Sequence, residues 1–68
     1  MADLNLQIAD MLINVRLKAK LTQTQVAKKL GCSRSYISKL ESGRISPMLS
    51  TIDNYIVACG FRFSIHAD

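Results

Sequence analysis

Arg34, Ser35, Ser38 and Lys39 crowd into six consecutive positions of a 68-residue chain, and side chains of these types at this density suit an anion. Arginine presents a planar fork of donors, lysine a compact cation, and serine a hydroxyl that donates or accepts. The cluster sits in a wider basic field. Between Met11 and Ile52 stand Arg16, Lys18, Lys20, Lys28, Lys29, Arg34, Lys39 and Arg44 against the single acid Glu41, a local charge of +7 in a chain of net charge +4. Asp3, Asp10, Asp53 and Asp68 lie outside that stretch. A concentration of this kind fits a polyanion, although charge alone is equally consistent with a soluble basic surface.

Catalytic chemistry has no comparable support. His66 stands alone, the five acids are scattered, and neither Cys32 nor Cys59 has a second cysteine or a histidine at metal-ligand spacing. No Ser/His/Asp, Cys/His or paired-carboxylate set can be assembled. The expectation is therefore a binding module and not an enzyme, with no cofactor and no metal, and with two reduced thiols, one of them in or near the core. Neither a secretory signal nor an apolar run near the ~20 residues of a membrane span is present, so a cytoplasmic, nucleoid-associated protein without membrane contact is expected.

A chain this short makes one domain, and burying only about 60% of its unfolded surface leaves it marginally stable. Apolar spacing predicts four helices. The first, over 5–20, carries Ile8, Leu12 and Val15 at i, i+4 and i+7. The second, over 23–30, opens on a Thr22-x-x-Gln25 capping box and closes at Gly31. The third, over 34–41, is capped by Ser33 and turns Ile37 and Leu40 inward, with Gly43 beyond it. After the turn Arg44-Ile45-Ser46-Pro47, a fourth over 51–59 places Ile52, Tyr55, Ile56 and Cys59 on one stripe, with Ser50 as its cap and Gly60 as its end.

The second and third helices are joined by Leu30-Gly31-Cys32-Ser33, a turn of the length and glycine content of a helix-turn-helix. Ala27 is small enough for the third helix to cross closely, and Ile37 and Leu40 brace that helix from behind. Arg34, Ser35 and Lys39 are then left facing outward. Leu21-Thr22-Gln23-Thr24-Gln25-Val26-Ala27, Leu30-Gly31-Cys32-Ser33, Tyr36-Ile37-Ser38-Lys39-Leu40-Glu41-Ser42-Gly43 and Ser46-Pro47 together resemble the lambda-repressor-like (XRE-type) helix-turn-helix domains. The resemblance covers roughly residues 8–60. It implies an all-α bundle of four to five short helices that inserts helix 34–41 into the major groove of duplex DNA.

By the same resemblance, Ser33, Arg34, Ser35 and Lys39 match positions that reach base edges, and Gln23, Tyr36, Ser42, Arg44 and Ser46 match positions that touch phosphates. Arginine bound through two hydrogen bonds to guanine is the commonest specific contact. Arg16 and Glu41 match a structural ion pair between the first and third helices. Plainer roles stand beside these: Ser33 as a cap, Gln25 as a capping-box member, Tyr36 as core packing, and Lys28 and Lys29 as partners of a helix dipole.

Residues 61–68 form a tail set apart from the 1–60 domain. Phe61-Arg62-Phe63-Ser64-Ile65 alternates with period two and favours a short C-terminal β-strand. One strand cannot satisfy its own backbone groups. Phe61, Phe63 and Ile65 are accordingly expected to pair with the same residues of a second copy, giving a homodimer on a palindromic operator; the alternative is that they cap the monomer core. The stretch from Ser50 to Ile65 is similar to the end of HigA-like antitoxins, which implies a second function beside sequence-specific transcriptional repression: binding and neutralising a toxin protein while repressing its own operon. A third option is the DNA-binding module of a larger assembly, such as a restriction-control or phage regulator.

Overall fold

The computed structural model describes residues 3–62. Over that span the chain forms α1 (Leu4–Lys18), α2 (Gln23–Leu30), α3 (Arg34–Ser42) and α4 (Leu49–Ala58), with no strand among the described residues. No helix there is long and apolar enough to cross a membrane.

Short-range hydrogen bonds set the boundaries. Asp3 caps α1, its Oδ1 accepting the Asn5 N–H at 2.9 Å, so the helix starts one residue earlier than its apolar spacing suggests. It also stops two residues earlier. Lys20 adopts φ 59°, its N–H donating to the Leu17 carbonyl at 3.0 Å and that of Leu21 to the Arg16 carbonyl at 3.2 Å. This C-terminal motif ordinarily recruits glycine, and a lysine there costs about 1 kcal/mol. The reversal brings Leu21 against the core.

Helix α2 begins with the complete capping box: Gln25 N–H to Thr22 Oγ1 at 3.1 Å and Thr22 N–H to Gln25 Oε1 at 2.8 Å. Gly31, at φ 71°, ends it with the same C-terminal motif that Lys20 forms under strain. Ser33 Oγ accepts the Tyr36 N–H at 3.1 Å and starts α3.

Two expectations require correction. Helix α4 starts at Leu49, so Ser50 lies inside it and is not its cap; Met48 takes that place without a side-chain bond. The helix starts directly after Met48, whose backbone is extended, and its first residues are exposed enough for water to satisfy the free donors. The C-terminal strand is likewise absent at Phe61 and Arg62. The Phe61 N–H donates to the Ile56 carbonyl at 3.1 Å, so it closes α4 and is not free for a ladder. Phe63, Ser64 and Ile65 lie outside the described residues.

Helix α3 packs on α1 and α2, and α4 closes the bundle against the same two helices. Leu12, Val26, Ile37, Leu40 and Tyr55 are fully enclosed, and Ala27 of α2 is buried in the same core cluster. Burial of aliphatic side chains of this size stabilises by about 1.5–3 kcal/mol each. Cys59 lies in the core, and Cys32 is half-buried in the turn.

One polar cluster interrupts this apolar interior. Glu41 Oε2 accepts from Arg16 Nε at 2.8 Å and from the Tyr55 hydroxyl; Oε1 accepts from Arg16 Nη2 at 2.9 Å and from Gln23 Nε2 at 3.1 Å. Arg16 Nη1 donates to the Leu21 carbonyl at 3.0 Å. All four helices therefore meet at one carboxylate. Burial acts to raise the Glu41 carboxyl, but the hydrogen bonds from Arg16, Tyr55 and Gln23 outweigh it and hold the group below its ordinary value of 4.5. Burial, reinforced by the bond to Glu41, raises the Tyr55 hydroxyl, which stays protonated and donates.

Glu41→Gln would leave Arg16 without its counter-charge. With the two side chains 4% and 14% exposed, the expected loss is about 3 kcal/mol, a fall in Tm on the order of 15 °C for a domain of this size. A depressed carboxyl in the folded state contributes stability above its unfolded value and loses it on acidification. The margin of the natural protein over the variant should be full above about pH 4.5 and shrink below. Calorimetry of both proteins across that range checks this; equal melting, or a margin that grows in acid, contradicts it.

Gly43, at φ 75°, lies against α1: a Cβ there would stand 2.5 Å from Leu6 Cδ2 and 3.3 Å from Leu6 Cα. At Gly31 an added Cβ would meet nothing within 4 Å. Gly31→Ala should therefore cost the backbone strain alone, about 1 kcal/mol, and Gly43→Ala about 1–3 kcal/mol more for the crowding. Thermal melts of the two variants decide the order.

Candidate nucleic-acid interface

Helix α3 sorts its side chains by face. Ile37, Leu40 and Glu41 are buried, whereas Arg34, Ser35, Ser38, Lys39 and Ser42 are exposed. The inward set follows from helical spacing, and the outward set is what remains. Because Ile37 and Leu40 are fully enclosed in the core where α3 packs on α1 and α2, the backbone under Arg34 and Ser35 is fixed while both residues remain exposed. Glu41, the one acid in the basic middle of the sequence, points inward and is neutralised by Arg16. The outward face of α3 therefore carries cations and hydroxyls without an opposing carboxylate.

Ser33, Arg34, Ser35 and Lys39 share this helix and its cap, all exposed. The Ser33 hydroxyl caps the helix as an acceptor, which leaves its proton free to be donated elsewhere. Tyr36 is 37% exposed. Its ring borders a recess of about 160 Å³ shared with Leu30, Cys32, Thr51 and Asn54, so it lies beside the first turns of α4 with one side open.

The remaining positions are more dispersed. Arg44 and Ser46 are exposed on the irregular segment 43–48 beyond α3. The Ser42 hydroxyl donates to the Lys39 carbonyl at 2.8 Å and accepts from the Arg44 N–H at 3.3 Å, so its proton is engaged in holding that bend. Gln23 is half-buried at the start of α2, with its amide nitrogen on Glu41. The structure thus gathers Gln23 at the last turn of α3, sets Ser33, Arg34 and Ser35 at the start of that helix with Lys39 in its last turn, and leaves Arg44 and Ser46 on the loop.

Sequence reasoning did not find Gln23 and Tyr55 as ligands of Glu41. Tyr55 was legible only as part of the apolar stripe of α4. A signal was present: a buried tyrosine hydroxyl needs a partner, and a lone acid behind the recognition helix needs more donors than one arginine supplies.

Comparison with known proteins agrees with this arrangement. A family model described as helix-turn-helix matches residues 12–64. The chain is 42% identical over 50 residues to the immunity repressor protein of Bacillus phage phi105, an alignment covering 74% of this chain and 35% of that protein. It is 34% identical over 50 residues to the ImmF control region 10 kDa protein of the same phage, covering 74% of this chain and 56% of that one. The chain thus spans about a third and a little over half of the lengths of these relatives. No solved structure matches it significantly. With a family model covering most of its length and the two-helix unit in place, the chain belongs to the lambda-repressor-like (XRE) helix-turn-helix family, and this membership points to a DNA-binding regulator.

Proposed function

We propose that this chain binds duplex DNA in a sequence-specific manner and represses transcription, laying α3 in the major groove. The observation that carries this reading is the sorting of α3: Arg34, Ser35 and Lys39 project from a backbone pinned by buried Ile37 and Leu40, and the one acid of that helix, Glu41, is buried. A helix of this kind fits the major groove, where base edges carry a distinct pattern of donors and acceptors. Arg34 is the best candidate to address guanine, with Ser33, Ser35 and Lys39 reaching neighbouring bases. Arg44, Tyr36, Ser46 and the N-terminus of α2 at Gln23 grip phosphates, which position the module and supply salt-dependent affinity. Ser42 serves this set by bracing the bend that carries Arg44. The names of the two relatives, an immunity repressor and a control-region protein, support repression. The antitoxin alternative rests on the segment 50–65, and no feature of the described residues favours it.

Repression at a palindromic site also implies two copies, with recognition helices presented about 34–36 Å apart. Phe61, 42% exposed at the end of α4, is the described member of the apolar set expected to join them. Phe63 and Ile65 complete that set in the sequence.

Two measurements test this reading. Arg34→Ala should weaken binding to the preferred duplex by about 1–3 kcal/mol and relax the base choice at one position; Arg44→Ala should weaken binding to every sequence alike and flatten the salt dependence by about one unit. Selection from a random duplex pool, repeated at several salt concentrations, reads both. Failure to bind any duplex in dilute buffer removes the proposal. Separately, sedimentation at micromolar concentration should show a dimer that Phe61→Ser weakens, and a natural chain that stays monomeric removes the dimer.

A further inference from the structure

Among the described residues, the side-chain amide of Gln23 has one hydrogen-bond partner. Its nitrogen donates to Glu41 Oε1 at 3.1 Å, and Glu41 is itself fixed by the side-on pair with Arg16 and by the Tyr55 hydroxyl. Each carboxylate oxygen then accepts two hydrogen bonds, which fills its capacity. An ionised carboxylate only accepts, so Gln23 must present nitrogen and not oxygen to it. The side-chain orientation of Gln23 is thereby decided by a charge on another helix.

An amide nitrogen carries two hydrogens, and Glu41 takes one. Gln23 is also the first residue of α2 and remains partly open to solvent. The backbone N–H groups of the first helical turn lack partners within the helix, and Thr22 Oγ1 satisfies only that of Gln25. Gln23 thus adds a second amide hydrogen, without a partner among the described residues, to a helix start that is the positive end of a dipole.

We infer that Glu41 is a positioning residue for the DNA backbone: acting through Gln23, it holds an outward amide hydrogen ready for a phosphate oxygen at the N-terminus of α2. This rests on the reading above that Gln23 touches the DNA backbone. Glutamine is among the side chains that lose most rotamer freedom when fixed. Here the fixing precedes DNA binding, so the contact forms without that loss. The negative charge opposes the phosphate little, because Arg16 pairs with it side-on and the Glu41 side chain is only 4% exposed.

A double-mutant cycle tests the link. Duplex affinity is measured for the natural chain, Gln23→Leu, Glu41→Gln and the double variant, at a temperature where circular dichroism shows all four folded. Glu41→Gln should weaken binding about three- to tenfold when Gln23 is present and little further in the Gln23→Leu background. Equal loss in both backgrounds makes Glu41 a purely structural residue and overturns the inference. Should Glu41→Gln not fold, the side-chain amide protons of Gln23 in the natural protein decide the question by NMR. One should be shifted and protected in the free protein, and the other should move only when duplex is added. Two ordinary, solvent-like amide protons would overturn the inference. If Gln23→Leu binds as tightly as the natural chain while Arg34→Ala is impaired, the positioning role fails and the DNA reading stands. If no duplex binds the natural chain, both fail.

Discussion

A single carboxylate sets the terms on which this bundle closes. Glu41 is buried with a full negative charge, and an isolated charge in that position would be far too costly to keep. Four hydrogen bonds from Arg16, Gln23 and Tyr55 make it tolerable, and those donors come from α1, α2 and α4. Such a pair is weak evidence for net stability, since a well-packed apolar substitute often does as well. Its strength lies in directionality. Apolar burial is non-directional, whereas the four hydrogen bonds of this cluster require donors from α1, α2 and α4 at fixed distances and angles around one carboxylate. In a domain with few fully enclosed side chains, that constraint determines how α3 stands relative to the rest.

The same arrangement separates charge. The sequence concentrates cations between Met11 and Ile52 and places one acid among them. Left on the surface, Glu41 would weaken the attraction of α3 for a polyanion. Drawn inward against Arg16, it removes one cation and one anion together from the outer field, while Arg34, Lys39 and Arg44 stay exposed without an ion-pair partner among the described residues. Tyr55 holds its proton in these surroundings, so it contributes a donor without adding a second negative charge.

The parts of this fold governed by local chemistry were readable in the sequence. The box of Thr22 and Gln25, the cap at Ser33, the reversal at Gly31 and the inward pair Ile37 and Leu40 all follow from interactions within a few residues. The elements that eluded sequence reasoning answer to tertiary forces or to exceptions. Lys20 takes a conformation that its side chain disfavours, so no glycine marks the end of α1. Helix α4 starts without a side-chain cap, so Ser50 offered a false boundary. Alternation from Phe61 onward suggested a strand, yet the first residue of that pattern completes a helix end, which period-two counting does not detect. At the candidate interface, the outward face of α3 was legible because it is the complement of the core stripe. The ties of Gln23 and Tyr55 to Glu41 were not, because they span 18 and 14 residues of sequence and depend on helix packing.

The number of base-facing side chains limits what one such module can accomplish. Ser33, Arg34, Ser35 and Lys39 are four candidates, and a well-formed bidentate contact discriminates by about 1–3 kcal/mol. Serines and a lysine form fewer paired bonds than arginine does, so the total for one copy falls at or below the lower part of the roughly 4–10 kcal/mol by which specific sites exceed non-specific ones. Adding phosphate contacts does not close that gap, because they strengthen right and wrong sequences equally. Two copies on a symmetric site double the discriminating contacts and make the spacing between half-sites a further criterion. A rigid mounting for α3 gains importance in that setting, since a tilt at one half-site would be passed to the other through the subunit contact. The buried carboxylate and the proposed pairing of subunits thus address one problem at two scales: a short recognition helix with few readers is selective only when its position is fixed.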